Sequence, residues 1–202
     1  MNENSKTSKI YLEKLGAVTK TKAFLGREFL TWLWFQTENR SGAFKLASSL
    51  STKTLTVELW IDDRIFLQPY DKNGHENLMR GGNPSRSQEA ATSLASGKVV
   101  KELKLGMHIS GLGDFTAVLN SENLNPRSLQ LPQLQADDEK ISPSTLLLTR
   151  IHYSECFADA LDSLFSLFIK ERTENKWEQE KLPAIHHWIM TRNKKIAAES
   201  VH

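Results

Sequence analysis

The stretch Phe24-Leu-Gly-Arg-Glu-Phe-Leu-Thr-Trp-Leu-Trp-Phe35 carries eight large apolar side chains in twelve residues. At the roughly 3.6-residue period of a helix, Leu25, Phe29 and Leu33 lie on one face, which the other apolar residues widen. A strand does not fit, because Phe29 and Leu30 are adjacent and break any alternation of period two. A helix that is apolar over so much of its circumference is normally buried on more than one side. The stretch therefore predicts a central core helix.

The bulk composition indicates a soluble globular protein. The chain has 202 residues, of which 39% are hydrophobic and 25% charged, and its formal net charge is +2. The single cysteine, Cys156, excludes an internal disulfide and suits a reducing compartment. No apolar run approaches the roughly 20 residues of a membrane span, and the N-terminus lacks the apolar segment of a secretory signal. We expect a cytoplasmic protein that does not enter a membrane.

Beyond residue 42 the apolar period changes from helical to alternating, which predicts an antiparallel sheet built of hairpins. The alternation places strands over residues 43–50, 54–61, 64–70, 99–110 and 115–119. Asp62-Asp63 and Gly111–Asp114 are interpreted as hairpin turns. Glycine, asparagine and proline in 71–86 and 123–132 indicate loops.

Further helices are predicted before the longest strand and at the C-terminal end. Ser85 or Ser87 can cap a short helix that precedes that strand. Ser142 opens a long helix whose apolar stripe reaches Ile169. Pro183 marks a break before a last amphipathic helix.

These elements add up to an α+β fold. An antiparallel sheet of hairpins packs against the aromatic-rich helix near the N-terminus and the long helix near the C-terminus. Residues 1–9 are polar and are predicted to be disordered. Residues 10–172 are predicted to form a single domain, and 173–202 a charged helical tail.

Motifs of common enzymes are absent from the sequence, which has no phosphate-binding loop, no G-x-S-x-G, no H-E-x-x-H and no C-x-x-C. His186 and His187 are adjacent, so on a helix they point about 100° apart and cannot hold one metal ion together. Cys156, on the long helix, is interpreted as a buried, inert thiol. We expect a protein that is not an enzyme, with no catalytic residue, no metal, no cofactor and no small-molecule substrate.

Basic residues gather in one loop–helix–strand unit. Within residues 80–104 only Glu89 and Glu102 oppose five cations, so the local charge is +3. The five are Arg80, Arg86, Lys98, Lys101 and Lys104. By strand parity Lys98 and Lys104 lie opposite the apolar side and Lys101 does not. The unit can contact phosphates, but a solvated polar face explains the same spacing.

Three motifs carry a family resemblance. Gly97-Lys-Val-Val-Lys-Glu-Leu-Lys-Leu105 has the form GK-x-V-x-x-L-x-L and follows a loop and a short helix. Thr116–Leu119 closes the next strand with the form T/S-x-x-L. Phe29-Leu-Thr-Trp-Leu-Trp-Phe35 is the third motif. With Leu124, Leu129, Leu131-Pro132 and the Leu/Phe stripe of the final long helix, they resemble the recombination-associated protein RdgC family, in its shorter and divergent branch, over roughly residues 24–170.

That resemblance implies a non-enzymatic function at the nucleoid. Members of this family are dimers that form a ring around duplex DNA, bind it with little sequence preference and restrain RecA-driven recombination. By position, the implied DNA contacts come from Arg80, Arg86, Lys98 and Lys101. Contacts of this kind go to phosphates, so the implied binding is strongly salt-dependent.

A protein-interaction or assembly module without DNA binding is the alternative. It would present Trp60, on the polar side of its strand, together with Trp177 and Trp188 of the charged tail. Exposed tryptophans are typical anchors of protein interfaces.

Overall fold

The structure is a computed structural model that describes residues 22–39, 42–50, 54–70, 74–133, 142–174 and 176–199. The predicted disorder of residues 1–9 and the predicted start of the domain at residue 10 lie outside the described residues.

The described residues form helices and strands in the mixed order that the sequence predicts. The helices are α1 (Lys22–Asn39), α2 (Gln88–Ala95), α3 (Pro143–Thr173) and α4 (Leu182–Glu199), with a 3-10 turn at Pro84–Arg86 and a π-helical turn at Trp177–Lys181. The strands are β1 (Ala43–Ala47), β2 (Thr54–Gln68), β3 (Asn77–Arg80), β4 (Val99–Ile109), β5 (Gly113–Asn120) and β6 (Arg127–Gln130).

The strands form one antiparallel sheet. Its order is β1-β2-β4-β5-β6, and β3 also pairs with β2. Because β4 pairs along both halves of β2, β1 and β3 share the opposite edge of that strand. The face that carries Leu103 and Leu105 packs against α1. The prediction of an α+β fold with an antiparallel sheet is confirmed.

α1 lies at the centre of the core, as its sequence predicts. Its most deeply buried apolar side chains, each at most 1% exposed, are Phe29, Leu30, Trp32, Leu33 and Trp34. The ring centroid of Trp32 is 6.0 Å from that of Phe44 on β1 and 5.7 Å from that of Phe168 on α3. Burial of each such side chain contributes about 1.5–3 kcal/mol. α1 therefore joins the sheet to the outer helices.

Gly26 sits in α1 because the helix backbone approaches the sheet closely there. A Cβ atom built on Gly26 would lie 1.9 Å from the carbonyl oxygen of Ser121, just after β5. Glycine inside a helix costs about 1 kcal/mol relative to alanine. Here that cost accompanies a contact that no other residue allows.

The predicted hairpin turn at Asp62-Asp63 is wrong, since β2 runs through it without interruption. Between Ile61 and Ile65 the pairing with β4 advances four residues on β2 but two on β4, so β2 holds two extra residues. Lys104 of β4 places its Nζ 2.9 Å from the Asp62 carboxylate and 3.3 Å from that of Asp63. The acidic pair is therefore a bulge within one long strand, and its charge is met by a neighbouring lysine.

Two of the predicted loops contain short strands. β3 falls within 71–86 and β6 within 123–132. Each strand has four residues, which is too short for an alternating apolar pattern to stand out. The loop predictions are wrong at these two places, and both strands add arginines to the sheet.

The predicted helix caps are confirmed, whereas the break at Pro183 is not. Ser87 accepts a hydrogen bond from the Ala90 amide at 3.1 Å, and Ser142 accepts one from the Thr145 amide at 3.2 Å. The π-helical turn at Trp177–Lys181 runs directly into α4, so the chain stays helical through Pro183.

The segment predicted as a charged tail shares the core of the domain. Trp177 and Ile185 are 3% and 6% exposed and belong to the main hydrophobic cluster. The Trp188 ring packs edge-on against Trp34 of α1, with centroids 5.7 Å apart. The assembly interpretation requires Trp177 to be a surface anchor, and its burial contradicts this.

Candidate nucleic-acid interface

The face of the sheet opposite α1 is here called the open face. It carries the side chains that alternate with core residues, among them Trp60 on β2, Lys104 on β4 and Thr116 on β5. All three are partly exposed. Antiparallel sheets commonly have one face packed on the core and one solvated.

A row of polar side chains crosses the open face from β3 to β6, with one residue on each of five neighbouring strands. In order these residues are Arg80, Arg64, Glu102, Asn120 and Arg127. Arg80 lies directly opposite Arg64, and Glu102 directly opposite Asn120. Because neighbouring strands are about 4.8 Å apart, the row spans about 19 Å. We call it the transverse row.

The transverse row carries an excess of positive charge. One Nη atom of Arg64 lies 2.7 Å from a carboxylate oxygen of Glu102, and one Nη atom of Arg127 lies 2.6 Å from the other oxygen. Asn120 adds a hydrogen bond of 3.0 Å to the same carboxylate. Three guanidinium groups against one carboxylate give the row a net charge of +2.

Arg80 is the exposed end of this row. Among the residues that the structure describes, no acidic side chain forms an ion pair with Arg80. Arg86, also exposed, follows on the 3-10 turn after β3. Both of these predicted contacts are therefore open to an anionic partner.

Lys101 reaches the open face through a bulge in β4. In the pairing of β2 with β4, Phe66 lies opposite Glu102, but the next residue, Leu67, lies opposite Val100. β4 therefore holds one extra residue at this point. The Lys101 Nζ lies 4.7 Å from the ring centroid of Phe66. A second contact, 3.1 Å to Glu76, pairs its charge. Strict alternation assigns Lys101 to the core side, which is wrong because the bulge resets the parity.

Lys98 lies on the helical side of the sheet, away from the transverse row. Its Nζ contacts Oδ1 of Asn77, and the Asn77 side-chain amide donates a hydrogen bond of 2.6 Å to Glu89 of α2. Lys98 also lines a cavity together with Leu94 and Ile185. The predicted grouping of Lys98 with Lys104 on one face is wrong, because the strand begins only at the following residue.

Lys104 is on the open face, but the two carboxylates beside it, those of Asp62 and Asp63, outweigh its single positive charge. Its hydrogen bond to Asp62 raises the pKa of Lys104 above its ordinary value, which burial opposes and Asp63 reinforces. The lysine therefore stays charged between two carboxylates, and adds no positive excess.

Two residues of the transverse row, Arg64 and Arg127, were not among the predicted contacts. Arg64 follows the supposed turn at Asp62-Asp63, where the bulge hides its parity. Arg127 lies on β6, which reads as a loop. Arg127 is recognised as part of the row by its hydrogen bond to Glu102, which reaches across β5. The sequence does not show this contact, because only the folded sheet brings the two residues together.

Trp60 lies against a glycine instead of projecting from the open face. A Cβ atom built on Gly106 would lie 2.0 Å from the indole ring of Trp60. The ring thus occupies the space that a side chain on β4 would fill and is half-buried. It offers less contact area than the assembly interpretation expects.

The remaining candidate chemistry has structural explanations. Cys156 is 8% exposed, and burial raises the pKa of its thiol, with Asp159 and Glu155 adding to the effect. It is therefore a buried, mostly protonated thiol, as the sequence predicts. The residues that the structure describes contain no group of three or more side chains able to hold a metal ion.

Comparison with family models, curated proteins and solved structures found no match to this chain. The resemblance to the RdgC family rests on the sequence motifs quoted above. Within the described ranges, no helix is both long enough and apolar enough to cross a membrane.

Proposed function

We propose that this protein binds duplex DNA without sequence preference through the open face of its sheet. The observation that supports this is the transverse row, in which three arginines on separate strands meet a single carboxylate. The RdgC resemblance supports the same class of function and adds a role in modulating RecA-driven recombination at the nucleoid.

The spacing of the row suits a duplex. Arg80 and Arg127 stand at its two ends, about 19 Å apart by strand spacing. The major groove of B-DNA is about 12 Å wide, so cations at the two ends can reach phosphates on both sides of one groove. Arginine is well suited to this contact, because its planar fork binds phosphate oxygens in pairs.

Sequence preference is not expected from this surface. The transverse row stands on a sheet with a half-buried tryptophan, and the four helices of the described chain contribute to the core or pack against it. Phosphate contacts fix position and carry no base information. Binding of this kind releases counterions and weakens steeply with salt.

The test is fluorescence anisotropy with a labelled random-sequence duplex across about 50 to 200 mM salt. The variant is Arg80→Gln combined with Arg127→Gln, which removes both ends of the row. We expect weaker binding and a salt slope smaller by about 2, since each lost phosphate contact removes about 0.9.

The matched control is Lys170→Gln, an exposed lysine on α3 and away from the open face. It should bind as the unaltered protein does. Absence of binding at low salt would overturn the proposal. An unchanged salt slope in the double arginine variant, with its melting temperature preserved, would overturn the assignment to the transverse row.

A further inference from the structure

A cavity of about 460 Å³ lies on the helical side of the sheet, between α1, α2 and α4. Its walls are mainly apolar and include Leu94, Val99, Trp177, Leu182, Ile185 and Ile189. Two apolar side chains that line it are also exposed to solvent, Leu182 at 37% and Met190 at 52%. Sites for small ligands in proteins have this size and this apolar character.

One wall of the cavity carries cations. Arg27 of α1 lines it, and so does Lys98 before β4. The guanidinium of Arg27 stands 5.9 Å from the ring centroid of Tyr70, a third lining residue. Glu28 is the acidic residue of the lining, and its carboxylate is paired with Arg172 at 2.8 Å. The remaining charge of this wall is therefore positive.

Arg27 has hydrogen-bonding capacity to spare. Its Nε atom is buried and has no hydrogen-bond partner among the residues that the structure describes. One of its Nη atoms makes a long bond of 3.5 Å to the Tyr70 carbonyl. Among the described residues the Nη groups of Arg27 therefore carry only one long hydrogen bond, which leaves donors free for an acceptor at the cavity wall.

We propose that this cavity binds an aliphatic monocarboxylate. The carboxylate accepts hydrogen bonds from Arg27, with Lys98 contributing charge, and the hydrocarbon chain lies among the apolar residues of α2 and α4. A bidentate contact matches the geometry of a guanidinium and a carboxylate. The positive wall disfavours a cation, and a fully polar ligand would bury polar groups against apolar walls without hydrogen-bond partners.

The site is independent of the proposed DNA interface. Arg27 and Lys98 lie on the helical side of the sheet, and the transverse row lies on the open face. Substitution of Arg27 should leave the affinity for duplex DNA unchanged. Failure of one proposal is therefore distinguishable from failure of the other.

The experiment is isothermal titration of the full chain with hexanoate, octanoate and decanoate, with decanol and decylamine for comparison. Quenching of tryptophan fluorescence gives a second readout, because Trp177 lines the cavity. We expect affinity to rise about fourfold for each added methylene. The neutral alcohol and the amine should each bind at least about tenfold more weakly than decanoate, because they lose the charge-assisted hydrogen bonds.

Two variants distinguish the contribution of the ligand's carboxylate from that of its hydrocarbon chain. Arg27→Gln should weaken decanoate about 10- to 100-fold while leaving the dependence on chain length intact. Ala95→Phe should fill the cavity and weaken all three acids. Arg150→Gln, an exposed arginine on α3, is the control and should bind as the unaltered protein does.

No binding of decanoate by the unaltered protein would overturn the proposal. Equal binding of decanoate and decylamine, or binding that survives both Arg27→Gln and Ala95→Phe, would also overturn it. Thermal unfolding of each variant without ligand ensures that loss of binding is not loss of the fold.

Discussion

Asp159 binds α3 to the turn that follows β1. The Ser48 hydroxyl donates a hydrogen bond of 2.7 Å to one carboxylate oxygen, and the Ser49 amide donates one of 2.9 Å to the other. The Ser49 hydroxyl also donates to Asp159. Burial alone raises the pKa of Asp159, but these hydrogen bonds outweigh burial and hold the pKa below its ordinary value.

This carboxylate should make stability depend on acid. Its pKa is lower in the folded than in the unfolded chain, so its contribution is complete above the ordinary value of about 3.9 and is lost as the pH falls through the folded value. We expect Asp159→Asn to lower the free energy of unfolding by about 1–3 kcal/mol at neutral pH. Urea unfolding from neutral pH downward should show that difference shrinking.

Asp162→Asn, an exposed neighbour on α3, is the control and should change little. A loss in Asp159→Asn that stays constant down to acid pH would contradict the assigned role of the charge.

At the scale of elements, the sequence was most informative where a pattern was long. α1, the β4–β5 hairpin and the serine-capped α2 and α3 follow from apolar period and capping residues. β3 and β6 did not, because four residues are too few for a pattern. The bulges in β2 and β4 reset the strand parity, so the open-face arginines could not be identified as one row.

Gly26 gives α1 a test in which helix propensity and packing have opposite signs. Propensity alone predicts that Gly26→Ala stabilises the protein by about 1 kcal/mol. The contact with the Ser121 carbonyl leads us to expect a net loss of about 1–3 kcal/mol, because the helix must move away from the sheet.

Urea unfolding measures this loss, and Ser166→Ala on the exposed side of α3 is the matched control. The control should be neutral or slightly stabilising. Stabilisation by Gly26→Ala would contradict the close contact between α1 and the Ser121 carbonyl.

At the scale of the whole molecule, the C-terminal helices complete the core instead of extending from it. Trp177 packs edge-on against Phe168 with ring centroids 5.7 Å apart. Trp188 donates a hydrogen bond of 2.9 Å to Glu38 at the end of α1. The sequence hid this for Trp177, because the charged residues that flank it indicate a solvated helix.

We expect Trp177→Ala to lower the free energy of unfolding by about 3–5 kcal/mol in a single cooperative transition. Equilibrium unfolding followed by both fluorescence and circular dichroism measures it. His187→Ala, exposed on α4, should have little effect. A small effect of Trp177→Ala, or a separate early transition, would mean that the C-terminal segment behaves as an independent tail.

The shared carboxylate of Glu102 makes DNA binding at the proposed interface an exchange, not an addition. Phosphate and Glu102 compete for the same two guanidinium groups, those of Arg64 and Arg127. Glu102 is 8% exposed, so any contact that it gives up to a phosphate is poorly replaced by water. The affinity for DNA is then set by the difference between the attraction of the two guanidinium groups to phosphate and their attraction to Glu102. If the protein binds DNA as proposed, an internal anion of this sort limits adhesion to any polyanion. Arg80, which has no ion pair among the described residues, then makes the first contact.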